Sequence, residues 1–305
     1  MQIICVGDLC CDLIVPYGKM QQALFRGDIS KEVTRDLQVR MQCGGSVGNV
    51  ARHLGRLKAQ PVFVTPVSRD SLGAYLTEEM EKMGVNMRWA TPSSRSNMYC
   101  AAVLDETGER TMFCFVPPWA DYPRFKTGGF DHVPDFPDQI LFTSGMAILD
   151  DDENNAAVLT FFADRKAKGA AVVFDLNVRA ESYGFQGERK RAIEEMISLS
   201  DILLGSGSDE FFQVTGTRDK KEAASRLLLQ GAGTVVARDG AEPVLILGAS
   251  TEEYVPVKPV VPVSTLGAGD CFDAMFLAAV ASGDVIRTAV RKASDYAGEY
   301  ISVKA

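Results

Sequence analysis

The chain has 305 residues, of which 46% are hydrophobic, enough to bury a sizeable core in one large or two modest domains, and this excludes a disordered chain. Its formal net charge of −8 argues for a soluble protein and against a nucleic-acid partner, which would require a basic surface. The apolar runs are far shorter than the roughly 20 residues of a membrane helix. The seven cysteines form no CxxC pair and only two histidines are present, so we expect a cytoplasmic protein without membrane contact or a zinc site.

Short β-rich runs alternate with amphipathic helical patterns along most of the chain. Met1 leads directly into the apolar run 3–7 without a basic flank, which predicts a first strand and not a signal peptide. Further strands are predicted at 61–67, 139–145, 170–178, 201–205, 234–240 and 243–248, and helices at 46–58, 70–83, 153–168, 188–199, 208–215, 219–230, 269–282 and 285–303. Apolar strands separated by helices are typical of parallel crossovers, so the pattern predicts a three-layer α/β/α fold with a mainly parallel sheet.

Two segments interrupt this alternation, and we predict that they form a small β-sheet lid. Residues 96–117 indicate two strands around a turn at 105–108. Residues 13–42 lack a helical period and mix polar with apolar positions, which is consistent with further strands of the same sheet. The predicted α/β core then comprises 1–12, 43–95 and 118–305, and the predicted lid comprises 13–42 and 96–117.

The segment 264–270, STLGAGD, places small residues and a carboxylate before a long apolar helix pattern. A glycine-rich turn into a helix leaves backbone amides unpaired at the positive end of the helix dipole, which suits a phosphate or an anionic transition state. We expect Asp270 to be ionised at neutral pH, where it could accept the proton of an attacking hydroxyl. An ordinary helix start with Asp270 as a capping residue is the structural alternative.

The segment 43–57, CGGSVGNVARHLGRL, joins a tight turn at Gly44 and Gly45 to an apolar helix face, with Asn49 in the first turn. An amide and backbone N–H groups at a helix start suit a neutral, polyhydroxylated ligand, and a plain strand-to-helix turn explains the residues about as well. The glycine spacing does not match the dinucleotide-binding fingerprint, and the sequence contains no Walker A motif.

Carboxylates follow two of the predicted strands. Asp8 and Asp12 come just after the first strand, at the edge where open α/β sheets bind ligands, and Asp12 could accept two hydroxyl hydrogen bonds from a sugar. Asp175, Asn177 and Arg179 end another strand, where alternation would place them on one face. Such a set suits metal-bound phosphates, and a buried structural ion pair is the alternative.

GGSVGNVARHLG, DLNVR and STLGAGDCFDA occur in this order over nearly the whole chain, and together they resemble the ribokinase-like (PfkB) family of sugar and nucleoside kinases. The resemblance implies an ATP- and Mg²⁺-dependent transfer of a phosphoryl group to a hydroxyl of a small sugar or related substrate. It also implies an α/β core with a β lid, and a homodimer formed through the lids.

The same resemblance assigns residue roles. It makes Asp270 the catalytic base and the backbone of 266–269, including Gly267, Ala268 and Gly269, its anion hole. The implied substrate-binding residues are Asp12, Gly44, Gly45 and Asn49. Arg110, in the lid hairpin, could reach a substrate carboxylate or phosphate, and a solvated turn residue explains it equally well. The implied nucleotide-binding residues are Asn177, Glu210, Arg238, Gly240, Gly267, Gly269 and Asp295, with Glu210 holding Mg²⁺ through water.

Several positions depart from the family pattern. Gly207 stands where an Asn opens the family's Asn-x-x-Glu motif, which puts water-mediated metal binding in doubt, and Ser264 replaces an Asp that helps to hold a monovalent cation, which argues against potassium activation. Cys10 and Ser46 fall where ribokinase presents Asn and Lys to ribose, which counts against ribose. The main hypothesis is therefore a carbohydrate kinase, with a nucleoside kinase or a catalytically silent small-molecule binding protein as the alternatives.

Overall fold

The computed structural model describes residues 1–27, 30, 37–105, 110–116 and 120–302, to which all structural statements refer. Its strands are β1 Gln2–Val6, β2 Cys10–Val15, β3 Arg40–Gly44, β4 Val62–Val64, β5 Pro66–Ser68, β6 Thr91–Ser93, β7 Ser96–Asn97, β8 Tyr99–Leu104, β9 Arg110–Phe115, β10 Ala120–Asp121, β11 Gln139–Ser144, β12 Ala171–Asp175, β13 Ile202–Ser206, β14 Thr234–Asp239, β15 Glu242–Gly248 and β16 Thr251–Val255. Its helices are α1 Tyr17–Arg26, α2 Ser46–Arg56, α3 Ser71–Lys82, α4 Asp152–Ala167, α5 Ala180–Tyr183, α6 Gly187–Leu199, α7 Ser208–Thr215, α8 Lys220–Leu229, α9 Ala268–Ala281 and α10 Ile286–Ser302, with a 3-10 turn at Gly145–Ala147.

The main sheet has the strand order β16-β15-β14-β13-β12-β11-β1-β4 among the described residues. Neighbouring strands from β14 to β4 are parallel, and the hairpins β14–β15 and β15–β16 add an antiparallel edge. β11 is buried at every position, as expected of a strand covered on both faces. Parallel strands end at one edge of the sheet, and the polar side chains that follow β1 and β12 lie there.

Helices cover both faces of this sheet and bury it in two hydrophobic clusters. One cluster joins the sheet to α2, α3, α9 and α10, and the other joins it to α4, α6, α7 and α8. The predicted three-layer α/β/α core is therefore confirmed, and its eight predicted helices agree with the observed ones to within two residues at each end. Among the described residues, none of the helices combines the length and the apolarity that crossing a lipid bilayer requires.

A second sheet, with the order β3-β2-β8-β9, forms the lid. β2 is antiparallel to β3 and parallel to β8, and β8 and β9 form the predicted hairpin, whose turn at 106–109 lies outside the described residues. The small β lid is thus confirmed, whereas the exact division into lid and core stays a prediction.

The expectation that 13–42 has no helical period is wrong, because α1 lies within it. Two large apolar residues of this helix, Leu24 and Phe25, point outward and are 77% and 84% exposed. With Tyr17 and Met20 they fall at helical spacing, so a helical period is present in the sequence, but this apolar stripe lies largely at the surface. Two smaller differences concern strands: 61–67 contains two short strands instead of one, and β16 was not predicted.

Candidate active site

Helix α2 begins where the lid meets the core, and a carboxylate occupies its first amides. Asp8 Oδ2 accepts a hydrogen bond from the Ser46 amide at 2.7 Å, and Asp8 Oδ1 accepts one from the Val47 amide at 3.1 Å. Gly45 precedes the helix with a φ of 95°, and a Cβ there would lie 2.6 Å from the Asp8 carbonyl oxygen. Burial raises the pKa of Asp8, and the two amide hydrogen bonds oppose this rise. Asp8 therefore caps α2 and closes this helix end to an anion.

Helix α9 begins differently. It follows Gly267, whose φ is 78°, and this residue provides no side-chain cap. The Leu266 amide donates to Ser264 Oγ at 3.3 Å, and the Ala268 amide donates to the Thr265 carbonyl at 3.2 Å. The anion hole expected over 266–269 therefore has fewer free amides than predicted. Within the described part of the chain, the amides of Gly267 and Gly269 have no acceptor. These two amides remain available to an anion.

The Asp270 carboxylate lies in the first turn of α9, half-buried, and accepts a hydrogen bond from Asn49 Nδ2 at 3.0 Å. Burial raises the pKa of Asp270 to about 7; the Asn49 hydrogen bond opposes this rise and the charges of Asp175 and Asp8 add to it. Asp270 was expected to be ionised at neutral pH, and burial works against that charged form. A carboxylate that titrates near neutrality is well matched to general-base catalysis.

Asp12 and Gly44 lie together on the lid, on the neighbouring strands β2 and β3. A Cβ added to Gly44 would collide with the Asp12 carboxylate, so only glycine leaves room for it. The Cys10 thiol also lies against Asp12, with Sγ 3.5 Å from Oδ1. Burial raises the pKa of Asp12. Arg110 begins β9, and its side chain lies outside the described part of the structure.

Strand β12 ends at Asp175, and the polar residues after it do not continue the strand. Asn177 and Arg179 have φ values of 30° and 47°, so the predicted placement of all three on one strand face is wrong. Asn177 Nδ2 donates to Ser46 Oγ at 2.7 Å, and Arg179 Nε donates to Asn177 Oδ1 at 2.9 Å. Asn177 thus faces the first turn of α2.

Arg238, at the end of β14, lies between two buried carboxylates. Its Nη2 is 2.9 Å from Asp175 Oδ1 and its Nη1 is 2.7 Å from Asp273 Oδ1. Nη1 also donates to the Gly269 carbonyl at 3.4 Å, and the guanidinium lies 4.6 Å from the centre of the Phe272 ring. Asp175 therefore adopts the structural alternative, a buried ion pair. With its guanidinium bound in this way, Arg238 faces the core and braces the start of α9, which does not support the implied nucleotide contact.

Glu210, in the first turn of α7, bridges two loops. Its Oε1 accepts from the Val178 amide at 3.1 Å and its Oε2 accepts from the Ser206 amide at 2.8 Å. Burial, followed by the charge of Asp175, raises the pKa of Glu210 to about 7. The described residues contain no group of three or more His, Cys, Asp or Glu side chains that could hold a metal. This arrangement does not fit direct ligation of Mg²⁺ by Glu210, but it fits a contact through water, since Mg²⁺ keeps several waters when phosphates bind it.

Asp295, on α10, lines a cavity of about 400 Å³. Lys258 Nζ lies 3.0 Å from Asp295 Oδ2 at its edge. The other residues around this cavity are Val260, Ser294, Gly298, Glu299 and Ser302. Gly240 lies in the turn between β14 and β15, where an added Cβ would meet no atom within 4 Å. Of the two residues, only Asp295 lines this cavity.

Sequence reasoning missed a buried residue close to Asp270. Arg52 Nη2 donates to Asn49 Oδ1 at 3.0 Å and Arg52 Nη1 donates to the Cys43 carbonyl at 2.7 Å. The available signal was a charged residue within an otherwise apolar helix pattern. Two consecutive hydrogen bonds therefore connect Arg52 to Asn49 and Asn49 to Asp270.

A mainly parallel α/β core, a β lid and a glycine-led helix with a carboxylate in its first turn define the general class of small-molecule kinases. The sequence profile described as "pfkB family carbohydrate kinase" matches residues 1–305. The chain belongs to the pfkB family of carbohydrate kinases.

Curated relatives and solved structures agree with this family. The chain is 27% identical over 268 residues to a fructokinase of Klebsiella pneumoniae, which covers 84% of this chain and 83% of that protein. It is 26% identical over 256 residues to an aminoimidazole riboside kinase of Salmonella typhimurium, covering 83% of this chain and 79% of that one. The fold is similar to that of Salmonella enterica aminoimidazole riboside kinase, with a TM-score of 0.81, 20% identity, and coverage of 100% of this chain and 94% of that chain. The Vibrio cholerae fructokinase bound to fructose, ADP and calcium ion gives a TM-score of 0.81 at 24% identity, with coverage of 100% and 94%.

Proposed function

We propose that this carbohydrate kinase transfers the γ-phosphate of ATP to a hydroxyl of a small sugar or sugar-like substrate, with Asp270 as the base. The observation that carries the proposal is the start of α9. There a carboxylate with a pKa of about 7 shares one helix turn with the amides of Gly267 and Gly269. A proton acceptor and an anion site side by side are what phosphoryl transfer to an alcohol requires.

Each group of the site has a role in this reaction. The acceptor hydroxyl oxygen bonds to the γ-phosphorus, the bond from that phosphorus to the β–γ bridging oxygen breaks, and the hydroxyl proton passes to Asp270. The amides of Gly267 and Gly269, at the positive end of α9, stabilise the negative charge on the transferred group. Mg²⁺, when bound with the nucleotide, supplies further charge neutralisation, and Glu210 would contact its waters.

The acceptor is proposed from the lid side of the site. Asp12 has two carboxylate oxygens for adjacent hydroxyls, and Gly44 leaves the space that this carboxylate needs. Fructose is bound in the Vibrio cholerae fructokinase structure, and aminoimidazole riboside is bound with an ATP analogue in a Salmonella enterica structure with a TM-score of 0.80. A ketohexose-like sugar is therefore the first candidate and a riboside is the second.

We further propose that the nucleotide base occupies the cavity beside Asp295, on α10. Tyr300, on α10, lies beside the start of α9, since a Cβ added to Gly267 would be 3.6 Å from its ring, so a nucleotide in this cavity can direct its phosphates toward the start of α9. The chain has unpaired thiols, such as Cys5 and Cys11, buried in the described part of its structure, which supports a location in the reducing cytoplasm.

The outer face of the lid supports a homodimer. Leu13 pairs with Met41 and with Ala101, which in turn pairs with Phe113, so the four side chains share one sheet face. Met41 is 46% exposed and Phe113 is 56% exposed. We propose that a second copy covers this face. Light scattering should then show a dimer that Phe113→Lys dissociates, and a monomeric wild type would refute the dimer.

The function is tested by supplying Mg·ATP with fructose, ribose, aminoimidazole riboside and common nucleosides, and by following product formation by ³¹P NMR. We expect transfer to at least one acceptor and its loss in Asp270→Asn. Binding of an acceptor without any turnover would instead identify a catalytically silent binding protein.

A further inference from the structure

Arg52 is a buried arginine next to the site, and its guanidinium is bonded to neutral oxygens instead of a carboxylate. The residue is 7% exposed, and its guanidinium donates to two neutral oxygens, Asn49 Oδ1 and the Cys43 carbonyl. Its Nε is buried without an acceptor among the described residues. Burying a guanidinium without a directly bonded carboxylate costs free energy. Of its two hydrogen bonds, the one to Asn49 connects Arg52 to Asp270.

The asparagine that Arg52 contacts has two chemically different ends. A primary amide presents an acceptor oxygen on one side and a donor nitrogen on the other, and a half-turn exchanges them. A guanidinium has only donors, so it can face only the oxygen end. With Asn49 Oδ1 held by Arg52 at 3.0 Å, Nδ2 points to Asp270 Oδ2, also at 3.0 Å.

We propose that Arg52 is a positioning residue for phosphoryl transfer: it fixes the Asn49 amide in the orientation that donates a hydrogen bond to the Asp270 carboxylate. The proposal rests on Asp270 being the base, as proposed above. Without the guanidinium, the amide is free to turn its oxygen toward the carboxylate, which would set two acceptors against each other.

The orientation matters because the other groups around Asp270 do not compensate for its loss. Asp175, at the end of β12, and Asp8, after β1, raise the pKa of Asp270, and Arg179, after β12, lowers it. On α9 itself, Asp273 and Cys271 also interact with the Asp270 charge. Among the groups that lower this pKa, the Asn49 hydrogen bond has the largest effect. A donor to the ionised form favours the base at neutral pH.

Helix α2 offers a matched control in Arg56, one turn beyond Arg52. Arg56 is exposed, and its charge acts on His53 and Cys271 rather than on Asp270. Arg52→Met and Arg56→Met make the same chemical change on the same helix. Only the first removes the contact with Asn49.

The pKa of Asp270 can be measured without any substrate, by a ¹³C NMR titration of labelled aspartates in the full chain, with the Asp270 signal assigned by its absence in Asp270→Asn. We expect Arg52→Met and Asn49→Ala each to raise this pKa by about one pH unit, the size of one hydrogen bond to a charged group. The double variant should show no further rise, and Arg56→Met should titrate like the wild type.

An unchanged pKa in folded Arg52→Met, or additive shifts in the double variant, would overturn the proposal. If Arg52→Met does not fold, Arg52→Lys takes its place, since it keeps the charge but loses the planar fork. We expect it to raise the Asp270 pKa by about half as much, and an unchanged value would be equally decisive against the proposal.

Kinetics provide a second reading once an acceptor is known. The acidic limb of the kcat profile should move to higher pH in Arg52→Met by the same amount as the NMR pKa, whereas a purely structural role would lower the melting temperature without moving this limb. If no acceptor is phosphorylated by the wild type, the proposed function fails while the titration still tests the positioning of Asn49.

Discussion

The helices α2 and α9 pack against each other, yet their first turns have opposite properties. Each follows a glycine at positive φ, Gly45 at 95° and Gly267 at 78°. The first amides of α2 are bound by Asp8, whereas the amides of Gly267 and Gly269 in α9 have no acceptor in the described part of the chain. A glycine turn therefore makes a helix start, but a carboxylate from another strand decides whether that start can hold an anion.

The largest expected effect comes from removing the proposed base, Asp270, at the open end of α9. Asp270→Asn should lower kcat by roughly 10²–10⁴, the usual contribution of a general base, and leave the acceptor KM nearly unchanged because the shape is kept. Steady-state kinetics at pH 8 test this. Near-native kcat would show that the open end of α9 is not the catalytic one.

The next effect concerns Arg238, whose ion pairs lie behind the start of α9. Arg238→Met leaves Asp175 and Asp273 buried without their cation, and it should lower the free energy of unfolding by about 3–5 kcal/mol. Urea denaturation measures the change. Arg226→Met, which breaks an exposed pair with Glu222, is the control and should cost below about 1 kcal/mol. Equal losses in both variants would contradict a structural role for Arg238.

Removing the Asp8 cap of α2 should lower the free energy of unfolding by less than the Arg238 substitution does. Asp8→Ala leaves the Ser46 and Val47 amides without their acceptor, and we expect a loss of about 2 kcal/mol in the free energy of unfolding. Asp8→Asn keeps one acceptor oxygen and should lose about half as much. If thermal unfolding shows both variants to be as stable as the wild type, the Asp8 cap does not account for the difference between the first turns of α2 and α9.

A methyl group added at Gly269 tests directly whether the first turn of α9 binds an anion. A Cβ on Gly269 would meet no atom within 4 Å, so Gly269→Ala should fold normally but lower kcat/KM about tenfold by occupying the anion site. Gly267→Ala is the matched variant, and its positive φ predicts a loss of stability of about 1 kcal/mol. Unchanged kcat/KM in Gly269→Ala would move the anion site elsewhere.

The last effect is the dependence of stability on pH. Folded Asp270 has a pKa of about 7, above the unfolded value of about 3.9, so the folded protein binds this proton more tightly and loses stability as the pH rises from 4 to 7. Asp270→Asn should therefore melt a few degrees higher than the wild type at pH 8, and the gain should vanish near pH 4. A gain that is constant with pH would exclude burial of the charge as its cause.

The elements of the α/β core were predictable because their information is local. The apolar runs of β11 and β12 and the helix starts of α2 and α9 are all visible within short windows of sequence. The electrostatics of the site were not, because they depend on contacts between distant residues. Asp8 reaches Ser46 across 38 positions and Asn49 reaches Asp270 across 221, and the buried environment that raises the pKa of Asp270 exists only after folding.

The junction of lid and core also matters for protein engineering. β2 begins at Cys10 and β3 ends at Gly44, and these two residues pair with each other in the sheet. The segment between them leaves and re-enters the core at one point, next to the first turn of α2, and it carries Asp12, the residue that we propose to bind the sugar. A chimaera could therefore exchange this one continuous stretch for that of another chain between fixed anchor positions. Such an exchange would replace the proposed acceptor-binding residue Asp12 and leave the helix that carries Asp270 unchanged.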